Sequence, residues 1–143
     1  MRTIKSYVKR KGRITEGQNQ AINTLWTKYG IDYSKEFLNF PFIFNNNHPV
    51  HLEIGFGDGE SLIKQAASNL ENNYFGIEVH DPGIGRCLMN IKKHNLTNIM
   101  ISSHDAIEVI NDQIKENTLE RINLYFPDPW PKKRHHKRRI VQP

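Results

Sequence analysis

The sequence predicts an α/β protein built on a doubly wound, mostly parallel β-sheet. Two observations indicate this fold class. Short apolar runs alternate with apolar stripes at helical spacing from Val50 onward, and a glycine-rich turn at 55–59 separates the first run from the first stripe. A doubly wound sheet commonly has roughly five to seven strands. Because the pattern predicts only four, we expect a fold that is truncated after its fourth strand.

The four expected strands occupy residues 50–54, 73–78, 98–102 and 121–126. Between them lie three apolar stripes whose side chains recur every three or four residues, which is typical of helices that pack on a core. The stripes comprise Leu62, Ile63, Ala66, Ala67 and Leu70, then Cys87, Leu88 and Ile91, and finally Ile107, Val109, Ile110 and Ile114. These side chains are predicted to be structural.

Residues 1–49 are expected to form a basic arm, a helix and an aromatic loop in front of the main domain at 50–143. Thr15 followed by Gln18 matches a capping box and predicts where the helix starts, and Gly30 predicts where it ends. The stretch 32–48 is predicted to be mostly loop, with its phenylalanines packed on the domain that follows.

Composition narrows the class of protein. The chain has 143 residues, of which 37% are hydrophobic and 24% charged, as expected for one soluble domain. Its apolar runs are far shorter than the roughly 20 residues of a membrane helix, and its N-terminal region lacks the apolar segment of a secretory signal. The single cysteine, Cys87, excludes an internal disulfide framework. We therefore expect a cytoplasmic protein without a membrane partner.

The net charge of +5 is unevenly distributed. Residues 1–13 and residues 132–139 each contain six basic and no acidic residues, which leaves eight basic and fifteen acidic residues elsewhere. Two basic ends around an acidic centre indicate a polyanion bound at the flanks and a neutral or cationic molecule bound at the centre. A solvated charge run is the alternative.

The glycine-rich turn contains Gly55, Gly57 and Gly59, which permit a tight turn and a close approach of a ligand to the backbone. A dinucleotide would place its pyrophosphate here, but Glu53 and its neighbours Asp58 and Glu60 oppose this. One carboxylate about 5 Å from a phosphate costs roughly 3 kcal/mol at an effective dielectric constant near 20. S-adenosylmethionine carries a sulfonium, an ammonium and no phosphate, so the acidic turn favours this cofactor.

Acidic residues also follow the next two predicted strands. Glu78 ends the second strand, where a carboxylate can accept hydrogen bonds from the two hydroxyls of a ribose. Asp105, followed by Ala106, comes after the third strand, where it can accept a hydrogen bond from an amino group such as that of adenine. Each acid alone is also a candidate helix N-cap. Three acids at consecutive strand ends favour a ligand site.

The segment 125–131 contains three prolines that end the fourth strand and predict a rigid loop. Asp128 lies between two of these prolines, where it could hydrogen-bond the N1–H and amino edge of a guanine, while Trp130 stacks on or walls the pocket. The alternative is a structural turn that packs Trp130 into the core.

A dense basic run follows this segment and is a candidate phosphate-binding stretch. A nuclear-targeting run or a disordered tail is the alternative. Its two adjacent histidines have no cysteine or carboxylate nearby at ligand spacing, so no metal is expected. The run consists of Lys132, Lys133, Arg134, His135, His136, Lys137, Arg138 and Arg139.

Four sequence blocks together resemble the bacterial tRNA (guanine-N7)-methyltransferases of the TrmB type. The blocks are Gly12-Arg13-Ile14-Thr15 with Gln18, Leu52-Glu53-Ile54-Gly55-Phe56-Gly57, Gly76-Ile77-Glu78-Val79-His80 with Pro82-Gly83, and Tyr125-Phe126-Pro127-Asp128-Pro129-Trp130 with the basic run. The fourth block is the most specific. The resemblance spans nearly the whole chain.

This resemblance implies a Rossmann-like class I S-adenosylmethionine-dependent methyltransferase fold, and methyl transfer to N7 of the guanine at position 46 in the variable loop of tRNA. We expect a monomer or a homodimer. The resemblance also implies that Asp128 is the active-site residue, that Lys132 contacts the substrate, and that 134–139 binds RNA. The residues expected at the cofactor are Glu53, Gly55, Gly57, Gly59, Glu78, Asp105, Ala106 and Asp128.

The family continues with further strands, a second substrate aspartate and a Thr-x-x-Glu motif, none of which this sequence contains. One alternative function is therefore a tRNA-binding module of the same family that performs no chemistry. A second alternative is a dinucleotide-dependent oxidoreductase, favoured by the strand, glycine turn and helix but opposed by the acids of the turn.

Overall fold

The computed structural model describes residues 14–124, and the predictions that concern residues 1–13 and 125–143 lie outside them. This part of the chain contains five helices and four strands, and from the first strand onward strands and helices alternate. They are α1 (Glu16–Tyr29), α2 (Phe40–Phe44), β1 (Val50–Ile54), α3 (Glu60–Ser68), β2 (Asn73–Ile77), α4 (Asp81–Lys93), β3 (Ile99–Ser102), α5 (Ala106–Gln113) and β4 (Arg121–Leu124).

The four strands form one parallel sheet in the order β3-β2-β1-β4. Leu52 at the centre of β1 lies opposite Phe75 of β2 on one side and Ile122 of β4 on the other. The chain moves outward from β1 through β2 to β3 and then returns to the far side of β1. This reversal creates a switch point between β1 and β4, as in a doubly wound sheet, and the predicted α/β fold class is confirmed.

Buried side chains form two clusters, one on each face of the sheet. On the first face, Leu62 of α3 and Leu88 of α4 belong to the same cluster as Ile101 of β3, and α1 also packs there. On the second face, α2 and α5 pack against a cluster that includes Leu52 and Phe75. Successive side chains of a strand point to opposite faces of the sheet. The continuous apolar runs of the sequence therefore supply buried side chains to both faces.

The start and end of α1 agree with the sequence prediction. The Gln18 N–H donates to Thr15 Oγ1 over 3.0 Å, and the Thr15 N–H donates to Gln18 Oε1 over 3.1 Å, which completes the capping box. At the other end, the Gly30 N–H donates to the Trp26 carbonyl over 2.7 Å.

The prediction that 32–48 is mostly loop missed α2. Asn39 caps this short helix by accepting a hydrogen bond from the Phe42 N–H, and proline is well tolerated in a first helical turn because no backbone donor is needed there. The helix buries Phe40 and Phe44 against the sheet, whereas Phe37 and Phe42 are 60% and 82% exposed. Only part of the aromatic loop therefore packs on the domain.

Two strand boundaries differ from the prediction by one residue. β2 ends at Ile77, so Glu78 stands just beyond it. β3 begins at Ile99, and Asn98 before it donates hydrogen bonds from its side chain to the carbonyls of Ala66, Asn69 and Asn72. The described part of β4 ends at Leu124, so its predicted end at 125–126 lies outside the described residues.

The predicted core stripes are correct apart from three members. Leu70 is 65% exposed because α3 ends at Ser68 and helical spacing no longer applies beyond it. Ile107 is 51% exposed because it lies two residues from Val109, on the opposite side of α5. Ala67 is also exposed. Within 14–124, no helix has both the length and the apolar character needed to cross a bilayer.

Helices α1 and α4 meet at a glycine. A Cβ atom placed on Gly85 would lie 2.6 Å from the Gln18 carbonyl oxygen and 2.9 Å from the Gln18 Cα atom. Backbone atoms cannot rotate away as a side chain can, so the close approach of the two helices requires glycine here.

We predict that Gly85→Ala lowers the free energy of unfolding by about 1 to 3 kcal/mol, the usual cost of an overpacked interior. Gly17→Ala in α1 is the matched control, since a Cβ there would meet no described atom within 4 Å. The control should keep or raise stability by up to about 1 kcal/mol. Urea unfolding measures both variants, and equal stabilities would contradict the close contact.

Candidate cofactor site

The turn between β1 and α3 is built from three glycines in the left-handed backbone region. The φ angles of Gly55, Gly57 and Gly59 are +77°, +67° and +84°. Other residues adopt such angles only at a cost of roughly 1 to 2 kcal/mol each. A Cβ on Gly57 would meet no described atom within 4 Å, so backbone conformation and not crowding requires glycine at that position. The turn therefore presents bare backbone at the carboxyl end of β1.

Glu78 holds this turn from the neighbouring strand. Its Oε1 accepts a hydrogen bond of 2.6 Å from the Gly57 N–H. Its Oε2 accepts hydrogen bonds of 3.0 and 3.1 Å from the N–H groups of Val79 and His80. One half-buried carboxylate thus fixes the glycine turn to the end of β2. The sequence predicted that Glu78 and Gly57 share a site but did not predict that they bond to each other.

Helix α4 supports the turn from a second side. A Cβ on Gly83 would lie 2.2 Å from the Gly57 carbonyl oxygen, so the first turn of α4 touches the backbone of the glycine turn. The Arg86 guanidinium lies 3.6 Å from an Asp58 carboxylate oxygen, and both side chains are about half exposed. Neither Gly83 nor Arg86 was predicted to have a role in the site. The only signal was the Pro82-Gly83 pair after the second strand.

The three acids near the turn occupy different environments. Asp58 and Glu60 are exposed, whereas Glu53 in β1 is only 2% exposed. Gln65 of α3 donates a hydrogen bond of 3.0 Å to the Glu53 carboxylate. Burial raises the pKa of Glu53 above its ordinary value of 4.5, and the Gln65 hydrogen bond partly opposes this. The three acids therefore differ in their access to solvent, and only Asp58 and Glu60 are exposed to it.

Asp105 caps α5, which begins at Ala106. Its carboxylate accepts a hydrogen bond of 3.2 Å from the Glu108 N–H, and the residue is 1% exposed. The capping role that the sequence left open as an alternative is therefore present. The residue nevertheless lies at the carboxyl end of β3, the same edge as the glycine turn and Glu78.

These groups form a crevice edge at the carboxyl ends of the strands, beside the switch point, which is where open α/β sheets bind ligands. The bare backbone at Gly57 suits close approach of a ligand. The carboxylates of Glu78 and Asp58 disfavour a phosphate. The residues present fit a nucleoside cofactor that is cationic and lacks phosphate, such as S-adenosylmethionine.

An open groove of about 550 Å³ lies at the opposite edge of the sheet. Its lining includes Val50, where β1 begins, and Glu120, which precedes β4. Ligands of open α/β sheets bind outside the carboxyl ends of the strands, whereas this groove lies at the amino ends. The glycine turn is therefore the candidate cofactor site.

The predicted active-site and RNA-binding residues lie outside the described residues. These are Asp128, Lys132 and the run from 134 to 139, and their roles stay predictions. The expectation that His135 and His136 bind no metal has the same status.

The architecture is similar to that of solved methyltransferases. An antibiotic-related methyltransferase superposes with a TM-score of 0.53 at 24% identity, covering 68% of this chain and 49% of that one. A 30S ribosomal A1408 methyltransferase from an uncultured bacterium gives a TM-score of 0.51 at 18% identity, covering 79% and 58%. Together with the order of strands, these likenesses show that the described part of the chain has the fold of these methyltransferases.

Residues 47–143 match the family model described as "Putative methyltransferase", and this chain belongs to that family. Two curated relatives are named tRNA (guanine-N(7)-)-methyltransferase. The one from Vibrio parahaemolyticus is 51% identical over 99% of this chain, and the one from Psychromonas ingrahamii is 51% identical over 100% of this chain. The chain spans 59% of the length of each of these relatives.

The raised pKa of Glu53 predicts a pH-dependent cost to stability. Between pH 4.5 and the higher pKa of the folded state, the folded protein binds more protons than the unfolded chain, so stability falls as pH rises. Glu53→Gln keeps an acceptor for Gln65 but does not ionise. We expect the stability of Glu53→Gln relative to wild type to increase through this window, by about 1.4 kcal/mol per unit of pKa elevation.

Urea unfolding of both proteins between pH 4 and pH 8 measures this difference. Glu60→Gln, at an exposed site on α3, is the control and should follow the wild-type profile. Parallel profiles for Glu53→Gln and wild type would contradict the account of Glu53.

Proposed function

We propose that the protein represented by this chain transfers a methyl group from S-adenosylmethionine to N7 of the guanine at position 46 in the variable loop of tRNA. The observation that carries this proposal is the identity of about half of all residues, along almost the entire chain, with curated enzymes of that name. The glycine turn and Glu78 support it by fitting the cofactor. The basic run supports it by suiting a polyanion.

When bound, S-adenosylmethionine supplies an activated methyl group on a sulfonium centre. The chain's own residues hold and orient it. Gly55 and Gly57 offer a backbone surface, and Glu78 faces the same edge with a carboxylate whose oxygens can accept further hydrogen bonds. Glu53 and Asp105 lie at or beside the ends of the adjoining strands, where their carboxyl oxygens can accept hydrogen bonds from a ligand.

Methyl transfer to guanine N7 does not require a general base. Guanine N7 carries a free lone pair and no proton, so no residue has to act as a general base. Positioning of the two reactants should then supply most of the acceleration. The methylated guanine ring is cationic, and the Asp128 carboxylate is proposed to stabilise this developing charge.

A methylation assay tests the proposed function directly. The chain is incubated with unmodified tRNA and S-adenosylmethionine labelled in the methyl group, and the modified base is identified after digestion. Label in 7-methylguanine at position 46 is expected. Binding of tRNA without transfer of label would support the tRNA-binding module instead. A separate calorimetric titration with a nicotinamide dinucleotide tests the oxidoreductase, and binding in that titration would support it.

We predict that Glu78→Gln weakens binding of S-adenosylhomocysteine about tenfold, or about 1.4 kcal/mol. Glutamine has a single acceptor oxygen, so it cannot serve both Gly57 and the Val79 and His80 amides. Isothermal titration calorimetry measures the change. Glu116→Gln, at an exposed position far along the chain, should bind like wild type, and unchanged affinity for Glu78→Gln would contradict its role.

For Asp128→Asn, we expect turnover to fall by about tenfold or more, while the affinity for S-adenosylhomocysteine falls by less than about threefold. A neutral amide would no longer stabilise the cationic product ring. Single-turnover methylation and calorimetry measure the two quantities separately. Equal losses in both would assign Asp128 to cofactor binding alone.

A further inference from the structure

Four side chains from two distant segments are connected by three contacts at the β3–α5 loop and along α5. The Tyr33 ring stacks on the His104 ring, with 3.8 Å between centroids and 12° between planes. His104 Nε2 lies 2.5 Å from a Glu108 carboxylate oxygen. The Tyr33 hydroxyl donates to the Asp112 carboxylate, and Glu108 and Asp112 are one turn apart on α5. We name these four residues the ring circuit.

Two members of the ring circuit, His104 and Glu108, lie at the start of α5. His104 directly precedes the N-cap Asp105, whose carboxylate accepts a hydrogen bond from the Glu108 N–H. The Glu108 side chain in turn bonds the His104 ring. Glu108 therefore interacts through its backbone with one residue of the β3–α5 loop and through its side chain with the residue before it. These two contacts restrict the loop at two successive residues, His104 and Asp105.

Tyr33 reaches this loop because the segment after α1 runs along the outer edge of the sheet. Gly30 forms a parallel bridge with Ile101 of β3, and the Ile31 N–H donates to the Ile101 carbonyl over 2.8 Å. Gln113 at the end of α5 donates from its side chain to the Asp32 carbonyl over 3.1 Å. These contacts hold Tyr33 against the β3–α5 loop from outside the crevice.

The hydroxyl of Tyr33 is a permanent donor at neutral pH. The hydrogen bond to Asp112, with smaller contributions from burial and the charges of Asp112 and Glu108, raises the pKa of Tyr33 to about 12. A phenol is protonated at neutral pH in any case, and the raised pKa extends the pH range over which Tyr33 keeps its bond to α5. The circuit is more elaborate than the cap of α5 requires, because the Asp105 side chain alone satisfies the first-turn N–H of Glu108.

We propose that Tyr33 and His104 are positioning residues for the cofactor: they hold the β3–α5 loop as the outer wall of the crevice and so set its affinity for a nucleoside group. The inference rests on the proposed function, since it assigns the ring circuit to the same cofactor site. Neither side chain is assigned a contact with the cofactor. Their effect passes through the loop that carries Asp105.

The test measures binding of S-adenosylhomocysteine by calorimetry, together with thermal unfolding of the same samples. His104→Ala removes both the stack and the bond to Glu108, and we expect about tenfold weaker binding. His104→Gln restores a donor for Glu108, and Tyr33→Phe retains the stack but loses the bond to Asp112. Each of these two variants should lose only about threefold.

Thr118→Ala is the matched control. Its hydroxyl donates to the Lys115 carbonyl beyond the other end of α5, far along the chain from the loop, so binding should stay within about twofold of wild type. A purely structural role of the ring circuit would lower the unfolding temperature of the variants but leave the affinity of the folded protein unchanged. Graded loss of affinity with partial rescue by His104→Gln is the expected pattern.

Two results would overturn the inference, and they are distinguishable. Wild type that binds the probe, with His104→Ala and Tyr33→Phe binding equally well, would overturn the positioning role and leave the proposed function intact. Wild type that does not bind the probe would overturn both. If His104→Ala does not fold, His104→Gln and Tyr33→Phe decide, because each preserves part of the circuit.

Discussion

The candidate site depends on one hydrogen bond, from the Gly57 N–H to the Glu78 carboxylate. Three left-handed glycines at alternate positions, Gly55, Gly57 and Gly59, would leave a turn with many accessible conformations. The carboxylate restricts that freedom by joining the turn to two amides at the end of β2. Because the turn starts at the end of β1, the bond connects two central strands at the edge where ligands bind.

The rest of the described fold supports this bond from outside. The start of α4 touches the glycine turn at Gly83, and α1 touches α4 at Gly85. Helix α4 therefore packs between α1 and the glycine turn, in close contact with both. On the other side of β2, the ring circuit fixes the loop after β3. The crevice edge is therefore held by backbone contacts near Gly57 and by side-chain contacts near Asp105, which gives a cofactor a preorganised surface.

The sequence predicted the elements that depend on local chemistry and periodicity. These include the capping box at Thr15 and the four strands with their order of appearance. It did not predict α2, because five residues are too few to show a repeated helical pattern of apolar side chains. Only the Asn39 cap and Pro41 indicate this helix. The sequence placed Glu78 and Asp105 at strand ends. Their hydrogen-bond partners, and the stacking of Tyr33 on His104, depend on tertiary contacts between distant segments, which periodicity does not encode.

The central claim is that the glycine turn held by Glu78 receives the cofactor. Backbone amide chemical shifts, recorded by NMR during titration with S-adenosylhomocysteine, test it most directly. We expect the largest shifts at Gly57, Val79, His80 and the start of α5. Saturable binding whose shifts fall instead on the groove around Val50 and Glu120, with the glycine turn unaffected, would contradict it.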